Sequence, residues 1–312
     1  MRTVEWDNGA VKMIDQRALP WTLEFARLET VAEVAESITN MTVRGAPAIG
    51  ASAGFGMALA AQESQADTLE ALLTDLKAYL RDILLQEAQK IADDDVAINS
   101  KMGANGATLV KDGATILHHC NTGALATVDY GTALGVVRAA FEQGKNIHVL
   151  LDETRPRLQG SRLSAWEMEQ LGVSYDIIPD TAAGYYMGKG EVDIILVGAD
   201  RVAGNGDFAN KIGTYQLAIM AKEHGIPFYT VAPTSTIDLA LKSGDEIPIE
   251  QRDPSEVTTP YGNPIVPPNF KARNPAFDVT PHKYLSGIVT ENGIARPPFT
   301  ETLARAVAGE QI

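Results

Sequence analysis

Residues 146–178, "NIHVLLDETRPRLQGSRLSAWEMEQLGVSYDII", hold an apolar β-like run (146–152), a polar turn, a helical pattern over "GSRLSAWEMEQLG" and a second β-like run (174–178). Parallel neighbours need a connection of a dozen or more residues, usually a helix, so this stretch reads as a strand–helix–strand crossover. The same alternation extends outward. β-rich runs recur at 115–119 ("TILHH"), 192–198 ("VDIILVG") and 227–232 ("PFYTVA"), with the helical patterns "YGTALGVVRAAFEQG" and "NKIGTYQLAIMAKEHG" among them. Near-continuous apolar strands are the mark of a mainly parallel sheet covered on both faces. The expected fold class is α/β.

The first third has a different pattern. Two short β-like runs in "TVEWDNGAVKMID" (3–15) flank Asn8-Gly9, the strongest short hairpin signal, because both residues accept positive φ. Helical spacing follows in "TVAEVAESIT" (30–39), in the Ala-rich run 45–62 and across 67–98. We therefore expect a hairpin-and-helix domain over 1–110 and a mainly parallel sheet domain over 111–312. The Pro-rich stretch 253–275 reads as an ordered excursion before a last helix opened by "DVTP", with Pro281 near its first turn.

The bulk numbers narrow the function. A net charge of −14 over 312 residues would repel a phosphate backbone, so nucleic acid is not an expected partner. A single cysteine, Cys120, leaves no internal disulfide framework and fits a reducing cytoplasm. The run "GAPAIGASAGFGMALAAQ" is too weakly apolar for a membrane span, and "MRTVEWDNGAVKMID" lacks an apolar signal core. A soluble cytoplasmic protein is expected.

In open α/β sheets ligands sit beyond the carboxyl ends of the strands. "CNTG" (120–123), "DETRPRLQGSR" (152–162), Asp180, "GADRVAGNGDFANKIG" (198–213) and "APTSTID" (232–238) all follow β-like runs and read as polar, Gly-rich loops delivered to one rim. Taken singly, each residue has a plain structural reading. Cys120 can be a small buried hydrophobe as well as a reactive thiol. Asp200 can cap a turn, and Arg155, Arg157 and Arg162 can be solvated charges. Strand alternation turns one of His118 and His119 inward. No His or carboxylate stands at metal-ligand spacing, so no metal site is expected. "GNGDFANKIG" lacks the spacing of a nucleotide loop. "VRGAPAIG" (43–50) places an Arg and a Gly before a helix, where a guanidinium and backbone N–H groups can hold an anion, with Lys211 as a second cation. A simple turn at Gly45 and Pro47 explains that stretch equally well.

Taken together, the motifs are specific. "VRGAPAIG", "HCNTGALAT", "YGTALGV", "DETRPRLQGSRLSAWE", "GADR", "ANKIGTY", "APTSTID" and "NPAFDVTP" resemble the methylthioribose-1-phosphate isomerases and their relatives. Those relatives are the regulatory subunits of the translation-initiation guanine-nucleotide exchange factor and isomerases of ribose 1,5-bisphosphate and 5-deoxyribose 1-phosphate. The resemblance implies a Rossmann-like second domain, a homodimer, no metal and no organic cofactor. It implies aldose–ketose isomerisation of 5-methylthioribose 1-phosphate in methionine salvage. The other two sugar phosphates, or a non-catalytic regulatory role, are the alternatives. It places the catalytic pair on Cys120 and Asp200, and substrate contacts on Arg44, Gly45, Ala46, Gln159, Asn210 and Lys211.

The pattern departs in one place. A segment like "RPTAVNL", usual in the family, is missing, and the chain runs "LKAYLRDILLQEAQKIADDD" instead. Arg81 is the candidate for the missing phosphate-binding arginine. A chain break or a short connection is expected near residues 80–86.

Overall fold

The computed structural model describes residues 1–63 and 72–312, apart from the side chains of residues 61, 72–83 and 87. It divides into two compact units, Met1–Asn99 with Gly123–Gly131, and Ser100–Thr122 with Thr132–Ile312. The division falls at Asn99/Ser100 rather than at 110/111.

The first unit opens with an antiparallel meander of β1 (Val4–Asp7), β2 (Ala10–Ile14) and β3 (Phe25–Leu28). The hairpin turns at Asn8 and Gly9, whose φ of 47° and 87° put both in the left-handed region, as a tight hairpin turn requires. Helix α1 (Val31–Thr39) starts with a capping box, in which the Thr30 side chain accepts from Glu33 N–H while Glu33 caps the Thr30 N–H. Helix α2 (Ala46–Glu63) is the Ala-rich run. It buries Ala48, Ala51, Phe55 and Leu59 against Val4, Val11, Met13 and Val34. Helix α3 (Leu72–Ala107) continues unbroken through 80–86, so the expected break or short connection is absent. The residues from 72 to 102 contain no glycine or proline to interrupt it.

The second unit holds β4 (Thr115–His118), β5 (His148–Asp152), β6 (Ser174–Ile178), β7 (Ile194–Val197), β8 (Arg201–Ala203), β9 (Phe208–Lys211), β10 (Phe228–Val231), β11 (Ile237–Asp238), β12 (Phe277–Thr280), β13 (Gly287–Thr290) and β14 (Gly293–Ala295). Seven of them form one sheet in the order β14-β13-β10-β7-β4-β5-β6, parallel except for the antiparallel β14. The chain builds outward from β4 to β6, then returns to lay β7 against the other side of β4. The strand order therefore reverses between β4 and β7, which is the topological switch point of a Rossmann-like sheet. Helices α4 (Ala133–Glu142), α5 (Ala165–Leu171), α6 (Ala183–Gly188) and α7 (Thr214–His224) accompany the strands. A core of Leu117, Ile195, Val197, Phe208, Phe228 and Ile288, among others, is fully buried.

Two expectations are corrected. "FDVT" does not open the last helix. It forms β12, paired antiparallel with β9, and the last helix is Phe299–Val307. Alternating Phe277 and Val279 suit a pleated strand better than a helix start. "RVAGNGDFANK" is likewise no loop. It is the β8–β9 pair of a second sheet ordered β11-β8-β9-β12. No helix among the described residues is long and apolar enough to cross a membrane.

Candidate active site

Cys120 lies just beyond β4, and Asp200 just beyond β7. The two strands are parallel neighbours, with His118 paired to Leu196, so both residues leave the sheet at the same edge and at its switch point. Cys120 is 7% exposed and takes φ of 72°, a left-handed conformation that costs energy for a residue with a Cβ. Its turn is tied down. The Cys120 N–H donates to Thr154 Oγ1 (2.9 Å), and its carbonyl accepts from Ser164 Oγ (2.8 Å). Next to it Asn121 donates to Glu167 (2.7 Å) and Ser164 (3.2 Å), all three buried.

Both preceding histidines are buried, not one, because the sheet is covered on both faces. The His118 Nδ1–H donates to the Leu196 carbonyl (2.8 Å), and burial drives its pKa down to about 4. His119 meets Asp152 through Nδ1 (2.8 Å) and the Ile212 carbonyl through Nε2 (2.9 Å). Burial alone would lower the pKa of His119. The hydrogen bond to Asp152 and the charges of Asp152 and Asp180 outweigh that, and the pKa is raised. Burial also raises Asp152, to about 6.

Asp200 is exposed. Its N–H donates to the Ala209 carbonyl (2.8 Å), and continuing the β8–β9 register sets it opposite Asn210. Asn210 and Lys211 end β9 and are both buried. The Lys211 ammonium stands 4.2 Å over the Phe277 ring and has no carboxylate partner among the described residues. A buried cation without a counter-ion is an open place for an anion. Phe277, its cross-strand neighbour, was not singled out in the sequence. The β-like pattern of "FDVT" was the available signal.

Gln159 is 7% exposed, and its Oε1 is buried without a hydrogen-bond partner among the described residues. Its loop is braced by the three arginines. Arg155 donates to the Val257 carbonyl (3.1 Å), Arg157 pairs with Glu256 (2.9 Å), and Arg162 bonds the Tyr261 hydroxyl (2.7 Å) while stacking on its ring. These are fastenings for the 253–275 excursion rather than solvated charges. That excursion is closed at its base by the Gln251–Pro275 bridge. Gly160 packs so tightly that an added Cβ would sit 1.7 Å from the Asp152 carbonyl oxygen.

Arg44, Gly45 and Ala46 belong to the first unit, where Ala46 is the first residue of α2. Gly45 has φ of 94°, and an added Cβ would lie 2.0 Å from the Ala126 carbonyl oxygen, so only glycine fits. The stretch is both the expected turn and the start of a helix, whose first N–H groups have no acceptor within the helix itself. The side chain of Arg81 lies outside the described residues. His119, Asp152 and Asp180 bring ligand-type atoms within 4.8 Å of one another, a grouping the sequence spacing did not reveal. Those atoms are engaged in hydrogen bonds: Asp180 accepts from the Thr154 and Arg155 N–H groups, and only Asp152 Oδ1 is left over.

Residues 80–297 match the family model described as Initiation factor 2 subunit family, and the chain belongs to that family. It is 47% identical to methylthioribose-1-phosphate isomerase 1 of Pseudothermotoga lettingae, over 98% of both chains. That alignment spans 340 residues against 312 here, so the relative carries segments this chain lacks. Among solved structures, 5-methylthioribose 1-phosphate isomerase from Pyrococcus horikoshii superposes with a TM-score of 0.92 at 48% identity, covering 99% of this chain and 96% of that one. The translation initiation factor eIF-2B subunit delta from A. fulgidus superposes with a TM-score of 0.90 at 40% identity, covering 99% of each.

Proposed function

We propose that this protein is a methylthioribose-1-phosphate isomerase, converting 5-methylthioribose 1-phosphate to 5-methylthioribulose 1-phosphate in methionine salvage. The observation that supports the reading is that Cys120 and Asp200 follow the adjacent parallel strands β4 and β7 at the switch point, with a buried Lys211 that has no counter-ion among the described residues. The closeness of the isomerase relatives supports it.

Phosphate on the anomeric oxygen keeps the sugar from opening to a free aldehyde, so hydrogen must pass from C2 to C1 with the phosphate in place. Lys211, Asn210 and Gln159, with Arg44 and the backbone at Gly45 and Ala46, bind and orient the substrate. Asp200 is the acid for the ring oxygen: it gives that oxygen a proton as its bond to C1 breaks and takes one from the C2 hydroxyl as the ketone forms, with bound sugar covering its carboxyl. Cys120 serves one of two routes. As a thiolate it takes the C2 proton and returns it at C1, or it lines a water-poor pocket for a direct C2-to-C1 hydride shift. The protein works as a cytoplasmic homodimer, needs no metal or organic cofactor, and does not bind nucleic acid.

The A. fulgidus neighbour favours a second reading, a regulatory subunit without turnover. The presence of Cys120, Asp200, Gln159 and Lys211 together favours the enzyme. Assay of kcat/KM on 5-methylthioribose 1-phosphate, 5-deoxyribose 1-phosphate and ribose 1,5-bisphosphate decides. Preference for the first is expected. Preference for either other sugar would reassign the substrate, and no turnover of any would overturn the enzyme reading.

A further inference from the structure

The mechanism above leaves the pair His119–Asp152 unused, although both side chains are fully buried and one is adjacent to Cys120. Buried charged pairs are poor sources of stability, so their presence asks for another role. The contacts of His119 supply one. Through Nδ1 it reaches Asp152 at the end of β5, two residues before Thr154, whose Oγ1 holds the Cys120 N–H and donates to the Asp152 carbonyl. Through Nε2 it reaches the carbonyl of Ile212, the residue after Lys211. The ring also lies flush on Gly213, where an added Cβ would come within 3.1 Å of it.

We propose that His119 is a positioning residue whose two ring N–H groups tie the Cys120 turn, the Asp152–Thr154 turn and the Lys211–Gly213 turn into one register. A carbonyl oxygen only accepts, so Nε2 must carry a proton, and the carboxylate opposite Nδ1 holds the second. The charged or titratable groups around the ring are Asp152 and Asp180 from the ends of β5 and β6, Asp278 from β12, and His118 on its own strand. The three carboxylates together stabilise an imidazolium. This inference rests on the isomerase reading, because the turns it joins carry that reading's catalytic and anion-binding groups.

Two isosteric variants separate the arms. His119→Gln places an amide N–H where Nε2 was and keeps the Ile212 link, losing Asp152. His119→Asn mimics Nδ1 and keeps Asp152, losing Ile212. In the folded protein we expect His119→Gln to lower kcat at least tenfold with KM within threefold. We expect His119→Asn to raise KM at least tenfold with a smaller loss of kcat. Both variants within twofold of wild type in kcat and KM, at unchanged melting temperature, would overturn the proposal. So would equal losses in kcat and KM for both, the mark of a general packing defect. A second readout needs no variant and no substrate. In nitrogen-15 NMR of the wild-type protein at pH 7, His119 should show two protonated ring nitrogens. A bare Nε2 would overturn the proposal even if every variant misfolded. Wild-type turnover is measured first, so failure of the isomerase reading is seen apart from failure of this one.

Discussion

Strand β4 ends in a turn held from several sides, while its neighbour β7 ends in a residue open to solvent. Cys120 is buried, left-handed in backbone and hydrogen-bonded at both N–H and carbonyl, whereas Asp200 is exposed. The difference separates two ways of preparing a group for chemistry. The thiol's surroundings are built by the fold, at a cost in backbone strain. The carboxyl stands at the surface, and in the proposed mechanism bound substrate covers it. A single strand-end geometry thus delivers one pre-organised group and one that depends on occupancy.

The largest effects should come from the pair itself. Asp200→Asn and Cys120→Ser should each lower kcat by at least ~10²-fold, the range of lost acid–base catalysis. The comparison adds a stability signature. Asp200→Asn should melt with wild type, within about 0.5 kcal/mol, as an exposed substitution does, while Cys120→Ser should melt lower. Equal melting of both variants would break the contrast, and near wild-type kcat in both would remove the pair from the mechanism.

Next comes acid stability, governed by the buried end of β4. The folded pKa of His118, about 4, lies below the ordinary 6.5. A depressed histidine contributes stability that is whole above pH 6.5 and is lost as pH falls toward 4, in all about 3 kcal/mol. His119, with its raised pKa, works in the opposite sense, its share being lost as pH rises above 6.5. Urea unfolding of His118→Asn, which keeps a donor for the Leu196 carbonyl, should show a pH 7 to pH 4 loss smaller by about that amount. An unchanged loss would mean the ring is not held neutral.

Lys211→Ala should raise KM roughly ten- to hundredfold, the loss of a charge-assisted contact worth roughly 1.5–3 kcal/mol, with kcat less affected. A KM unchanged in a folded variant would place the phosphate elsewhere. The smallest effect sharpens the account of the Cys120 turn. Thr154→Val leaves the buried Cys120 N–H without an acceptor and should cost roughly 1–2 kcal/mol in thermal unfolding, with Thr154→Ser restoring it. Equal stability of Val and Ser variants would show that the bond adds nothing.

The sheet was legible because its strands are short, apolar and bounded by turn residues, and five runs coincide with observed strands within two residues at either end. Asn8-Gly9 was read as a hairpin, yet Asn205-Gly206 also lies between antiparallel strands and Asn292-Gly293 leads from one into the next, and both were passed over. Their flanks, "RVA" and "GIA", are three-residue strands, too short to show a period of two. Asn105-Gly106 sits inside α3, so the dipeptide alone does not decide. In the candidate site, Cys120 and Asp200 could be placed at strand ends from their flanking runs. The His119–Asp152 contact and the anchoring arginines could not, since each joins residues from loops far apart in sequence, and only the folded chain brings those loops into register.

The reversal of strand order between β4 and β7 also has a meaning in time. Strand β7 must pass over the finished β4–β5–β6 ribbon to pair with β4, and the bond from His118 to Leu196 closes a separation of 78 residues. Closing so long a loop comes at an entropic cost that local pairings escape, so this seam is a late event in folding. The strands that carry Cys120 and Asp200 become neighbours only when it closes. A chain emerging from the ribosome can therefore complete three strands and still be inert, and recovery of turnover during refolding would mark the closing of the β4–β7 seam.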